Sequence, residues 1–239
     1  MAQTKIILRQ LILLFVVALF FAPRSAGFCY QPDPTIACQF LNSDAVFVGT
    51  VVSAHKIPPP SEREDDGWLY TLTVQEVFRG PQRAKVAVFT ENNTSRFPLD
   101  AGKQYLLFAS KFHGHLVIRG CGNSALFSDS EMVIRELRNL RVPDEAMIEG
   151  RISFSGIPDD GTHVAGFRVV VRGQGKKYTA TSDENGWFHL RVPPGEYSAE
   201  FEENPPWKIT PYDLSFDWPM RFIARKGHCS GLQFQANPK

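Results

Sequence analysis

Turn signals recur about every ten residues through the C-terminal part of this chain, and short runs rich in Val, Phe, Tyr and Ile lie between them. The signals are Pro158-Asp-Asp-Gly161, Gly173-Gln-Gly175, Asp183-Glu-Asn-Gly186, Pro193-Pro-Gly195 and Asn204-Pro-Pro206. The runs are Met147–Phe154, Ala165–Arg172, Tyr178–Thr181, Trp187–Val192 and Tyr197–Phe201, with Arg221–Ala224 and Leu232–Phe234 in the tail. Six or seven strands punctuated in this way predict an antiparallel β-sandwich over 146–239. Two turns have a readable mechanism. Asp183 and Asn185 bond local amides, Gly186 takes a positive φ and Phe188 returns to the core; Pro193-Pro-Gly195 reads as a hairpin ahead of Tyr197.

The preceding region also reads as β. Ala45–Val52, Tyr70–Phe78, Lys85–Thr90, Gly102–Ala109 and His115–Arg119 are predicted strands. Residues 57–67 (IPPPSEREDDG) read as a loop. Short helices are expected at both ends. Asp33-Pro34 supplies a cap and a first-turn proline before Ile36, Ala37, Phe40 and Leu41. Ser128-Asp-Ser-Glu131 reads as a capping box before Val133, Leu137 and Leu140. Five strands with terminal helices predict a five-stranded barrel of the OB type. Arg141–Glu145 is the expected linker. The fold class is therefore all-β with short flanking helices, an OB-type five-stranded barrel plus an antiparallel β-sandwich, built on two separate β cores.

The first 27 residues read as an address. Lys5 and Arg9 precede a 12-residue apolar run, Leu11 to Ala22, followed by Ser25, Ala26 and Gly27. A spanning helix needs about 20 apolar residues, so a cleaved signal peptide is the expectation, with cleavage after Gly27. No later segment is apolar enough to span a bilayer. Residues 1–27 carry three basic groups and no acid, 28–145 carry 12 basic and 14 acidic groups, and 146–239 carry 11 of each. This near-neutral balance argues against a nucleic-acid partner, which needs a basic face to neutralise phosphates. Secretion, to the periplasm or the extracellular space, exposes cysteines to oxidation. Cys29, Cys38, Cys121 and Cys229 are accordingly disulfide candidates, and sequence leaves all three pairings open. One arrangement ties Cys229 to Cys29 or Cys38 and so links the two halves.

The chain shows no constellation for catalysis, cofactor binding or metal ligation. HExxH, the HxxE pair of zinc carboxypeptidases, GxSxG and a P-loop are all absent. His113 and His115 flank Gly114 and read as a loop tip. Asp183-Glu184-Asn185 lacks the further acids a calcium site needs. Asn92 and Asn93 are overlapping glycosylation acceptors. Trp207 and Trp218 stand beside prolines, as a binding shelf for carbohydrate or a Pro-rich peptide would.

Two resemblances follow from ordered sets of residues. Cys29, the short helix, Asp44–Val51, Glu76-Val-Phe-Arg-Gly80, Gly102-Lys-Gln-Tyr-Leu-Leu107 and the strand into Cys121 resemble the netrin-like module, which includes the tissue inhibitors of metalloproteinases. The resemblance covers about residues 29–140 and implies an OB barrel over 28–141. Glu149-Gly-Arg-Ile152, Val164–Val171, Thr181–Phe188 and Val192–Tyr197 resemble the carboxypeptidase regulatory-like domain, a transthyretin-like sandwich. In the inhibitors the first cysteine of a Cys-x-Cys start chelates the protease zinc. The matching positions here are Cys29, Tyr30 and Gln31, without the second cysteine and with Phe28 ahead after the favoured cleavage. The expected function is an exported, non-catalytic protein that binds or scaffolds a protein partner at the cell surface or outside the cell. Cys29, Tyr30, Gln31, Trp207 and Trp218 are its candidate contact residues. The alternative is a metalloendopeptidase inhibitor acting through the Cys29 region, with a metalloprotease as partner.

Overall fold

The computed structural model describes residues 34–58, 66–93, 96–154, 165–202, 207–213, 215 and 217–238. The protein is mostly β with short flanking helices. The N-terminal half holds β1 (Ala45–Ile57), β2 (Gly67–Arg79), β3 (Lys85–Glu91), β4 (Gln104–Phe112) and β5 (His115–Val117). These run in the order β1-β2-β3-β5-β4, and β1 also pairs with β4, so five strands close a barrel. A two-residue strand, β6 (Ala125–Leu126), adds to the outside of β4. The β3–β5 pair is parallel and the others are antiparallel. Register shifts at Val46/Phe47, Val48/Gly49 and Val51/Ser53 bend the long β1–β2 ribbon. Such bulges supply the coiling that closure requires.

β1 is buried from Ala45 to Gly49 without alternation, because both of its faces are covered. Ala45, Phe47 and Val51 point into the barrel with Tyr70, Leu72, Val88, Tyr105 and Leu107. Val46 and Val48 point outward, against the helices, with Leu106 and Phe108. Those helices are α1 (Ile36–Asn42) and α2 (Glu131–Asn139). Thr35 caps α1, its hydroxyl accepting from Cys38 N at 3.3 Å. The helix thus begins later than the Asp33-Pro34 pattern indicates, and Asp33 lies outside the described residues. The Ser128–Glu131 capping box does not form. A 3-10 turn, Phe127–Asp129, takes up those residues. Ser130 leads α2 with φ −105° and ψ 6°, outside the extended geometry that a capping side chain needs. Its hydroxyl donates to Leu126 O instead.

The C-terminal half holds β7 (Ala146–Phe154), β8 (Arg168–Gly173), β9 (Lys176–Thr181), β10 (Trp187–Val192), β11 (Gly195–Phe201), β12 (Trp207–Pro211), β13 (Met220–Ala224) and β14 (Cys229–Pro238). Two four-stranded sheets, β10-β7-β14-β12 and β13-β11-β8-β9, enclose a core of Ile148, Ile152, Val169, Val171, Phe188, Tyr197, Leu232 and Phe234. One pair, β7–β14, is parallel within the otherwise antiparallel sandwich. Gly150 is needed where it stands, because a Cβ there would lie 1.9 Å from the Phe188 ring.

Two local readings change. The Pro193–Gly195 turn is not a hairpin: β10 and β11 belong to different sheets, so the chain crosses the sandwich there. Tyr197 fastens the crossing, its hydroxyl donating to Pro193 O at 2.8 Å. β12 is an additional strand. Among the described residues it pairs only with β14, and an edge position tolerates the prolines that disguise it.

Candidate functional site

The two halves meet where α1 lies on the outer face of the β7–β14 pair. Cys38 on α1 is disulfide-bonded to Cys229 at the start of β14, with 5.1 Å between Cα atoms. Both cysteines are buried. Asn42, one helical turn on, reads the β14 backbone with its whole amide. Its Nδ2 donates to Cys229 O at 2.8 Å and its Oδ1 accepts from Cys229 N at 3.0 Å. At the other end of α1, Glu149 of β7 accepts from Thr35 N at 3.1 Å and from the Thr35 hydroxyl. A carboxylate at the start of a helix faces its unpaired amides and the positive end of its dipole. Glu149 is the one buried carboxylate among the described residues. His189 Nδ1 stands 3.8 Å from it. Around the disulfide a third apolar cluster gathers Phe40, Leu41, Ile134, Leu137 and Met147. The molecule therefore has a core at the seam in addition to the barrel and sandwich cores.

Cys121 is also disulfide-bonded. Cys29, Tyr30 and Gln31 lie outside the described residues. Trp207 and Trp218 serve the sandwich. Trp207 is half-buried, its ring 4.6 Å from Phe154. Trp218 stacks on Phe201 and meets Phe234 edge-on, each at 6.3 Å, while 47% of its surface stays open. Among the described residues no ring contact joins the two, so the structure does not assemble them into one shelf. His113 and Gly114 form a two-residue tip between β4 and β5, with φ of 47° and 83°. Among the described residues no group of three His, Cys, Asp or Glu side chains converges as metal ligands would. The Asp183 carboxylate accepts from the Asn185 and Trp187 amides, both at 2.9 Å, and Gly186 has φ 79°. Asn92 and Asn93 donate to Asp66 and Glu91, while Thr94 and Ser95 lie outside the described residues.

Two ion pairs fasten further junctions, one inside the barrel half and one between the linker and the sandwich. Arg138 of α2 grips Glu76 of β2 through a two-point fork at 3.0 and 2.7 Å. The guanidinium holds the Glu76 carboxyl below its ordinary value. Lys226, on the β13–β14 turn, lowers Asp144 of the linker by a direct hydrogen bond. In the sandwich, burial pushes the Tyr197 phenol upward, and nearby Tyr178 adds to it.

Sequence reasoning missed two concavities. One, of about 410 Å³, lies on the sandwich among Arg172, Glu196, Ser198, Arg221 and Ile223. The other, of about 200 Å³, lies between α1 and the β4–β5 hairpin. Its polar and charged lining includes Gln39, Ser43, Ser110, Lys111 and Arg119, and Phe112 supplies an exposed ring. Strand pairing and the α1 packing bring these residues together, and no local pattern announces them.

No family model matches the chain, and no curated protein matches it. Among solved structures it is similar to a DUF3823 family protein from Bacteroides ovatus, at 15% identity over 38% of this chain and 44% of that one, TM-score 0.27. It is similar to the Bacillus anthracis TIE protein at 9% identity over 82% and 35%, TM-score 0.32. A pilus-presented adhesin gives 14% identity over 66% and 37%, TM-score 0.29. The chain thus spans less than half the length of each. No helix of the described residues is long and apolar enough to cross a membrane.

Proposed function

We infer that this chain is an exported, non-catalytic scaffold that binds a protein partner at the cell surface or outside the cell. In this reading residues 1–27 are removed as a signal peptide, and 28–141 and 146–239 are the two domains. The observation that carries it is the seam. A buried disulfide between halves of the fold suits an oxidising compartment, and together with Asn42 and Glu149 it fixes the two units as one rigid platform. Engagement of Glu149 by Thr35, away from either concavity, supports the non-catalytic part. The closed β1-β2-β3-β5-β4 barrel with a helix at each end supports the netrin-like resemblance, and the two four-stranded sheets support the regulatory-like one.

The test is cellular. Crosslinking of the exported protein in its own host, followed by mass spectrometry, is expected to give a reproducible protein partner outside the cytoplasm. A cytoplasmic pool with reduced thiols overturns the reading. Amino-terminal sequencing separates it from metalloendopeptidase inhibition: Phe28 first fits a binding module, whereas Cys29 first fits the inhibitor.

A further inference from the structure

The cleft between α1 and the β4–β5 hairpin is one-sided in charge. Of its ten lining residues, Lys111 and Arg119 are cations and none is an acid. Both are exposed, and among the described residues neither side chain is held in an ion pair. The carboxylate placed beside the rim is Asp44, and it is occupied by the Lys111 backbone amide at 2.6 Å. Next to the cations the cleft is apolar. Phe108 and Val117 line it, and Phe112 keeps 49% of its surface open with its ring edge against His113. Gln39 and Asn42 are committed elsewhere, to Asn123 and Cys229.

We propose that this cleft docks an acidic segment of the partner protein, with a carboxylate against Lys111 and Arg119 and a neighbouring aliphatic or aromatic side chain on Phe112. The complementarity decides the occupant. A small ion would use the cations and leave Phe112 in water, whereas an acidic peptide with an adjacent apolar residue covers both. Exposed charges steer encounter and fix register, and a central apolar contact holds the complex. The proposal rests on the protein-binding reading and names the chemistry that the partner presents.

The probe is a short fluorescein-labelled peptide alternating Glu and Leu, titrated by anisotropy against the mature, oxidised protein. Its counterpart alternates Lys and Leu. The Glu peptide is expected to bind, more weakly as salt rises, and the Lys peptide is expected not to. The double variant Lys111→Glu/Arg119→Glu should lose affinity by roughly tenfold or more. Phe112→Ala should weaken binding while keeping the salt dependence. Arg221→Glu, on the sandwich, should change nothing. All of these positions are exposed, and unchanged circular dichroism and melting verify the fold; the single changes Lys111→Gln and Arg119→Gln give the same readout more gently. Absence of Glu-peptide binding, equal binding of the two peptides, or indifference to the double variant overturns the proposal. So does complete displacement by inorganic phosphate at millimolar concentration, which would mark a small-anion site. Failure here leaves the scaffold reading standing, since that reading is judged by export and crosslinking. A reduced cytoplasmic protein sinks the scaffold reading whatever the peptides do.

Discussion

Thr90 stands on β3 opposite Trp68, fully buried at the barrel end. Among the described residues its hydroxyl has no hydrogen-bond partner, although a buried polar group without one costs about 1–3 kcal/mol. Valine has nearly the same shape and no such group. Thr90→Val is therefore expected to stabilise the protein by about 1 kcal/mol, read as a higher urea midpoint with an unchanged slope. A lower midpoint would mean that the hydroxyl is satisfied after all. Beside it Arg96 lies 5.3 Å over the Trp68 ring and donates to the Tyr70 hydroxyl at 3.2 Å. At this scale much was legible. The Asp183–Gly186 turn and the return of Phe188 to the core follow from residue type alone. The partner of each cysteine does not, because sequence separation carries no information about which thiols meet: Cys38 and Cys229 lie 191 residues apart.

The strands were readable where one apolar face alternates with a polar one, as at Tyr70, Leu72 and Val74. β1 was readable by its Val and Phe content, although not its length. The misses have physical causes. β12 hides among prolines that an edge strand can carry, and a 3-10 turn displaces the Ser128–Glu131 box. Whether Pro193–Gly195 makes a hairpin or a crossing depends on pairing partners far away. The docking of α2 was equally invisible, since Arg138 and Glu76 are 62 residues apart. That pair makes a pH prediction. The folded Glu76 carboxyl lies below its ordinary value of 4.5 because Arg138 bonds its charged form. A lowered acid contributes stability that is complete above the ordinary value and disappears as pH falls through the folded one. Glu76→Gln should lower the melting temperature slightly near neutral pH, because the pair is largely exposed. The gap to the parent protein should close in acid. A gap that widens below pH 4.5 would contradict this assignment.

Over the whole molecule, the Cys38–Cys229 bond governs how the halves behave together. Closing so long a loop stabilises by roughly 5 kcal/mol in the chain-entropy description. The double variant Cys38→Ala/Cys229→Ala should lose about that much, and the barrel and sandwich should then melt in two separate denaturant transitions. A single unchanged transition would show that Asn42, Glu149 and the apolar seam hold the halves without the covalent bond. The all-β class was legible from composition and punctuation. The seam core was not, because it draws on Cys38, Val48, Leu137, Met147 and Cys229, which share no local pattern.

The place of β14 has a consequence for biogenesis. It is the last of the described strands in sequence order, yet it lies between β7 and β12 and carries Cys229. The sandwich interior and the crosslink to the barrel both wait for its arrival. A nascent chain cut short before Cys229 has a gap in the middle of a sheet rather than a frayed border. The sandwich is thus obliged to stay loosely organised until β14 has been synthesised, whereas the barrel, closed by strands that all precede it, is under no such delay.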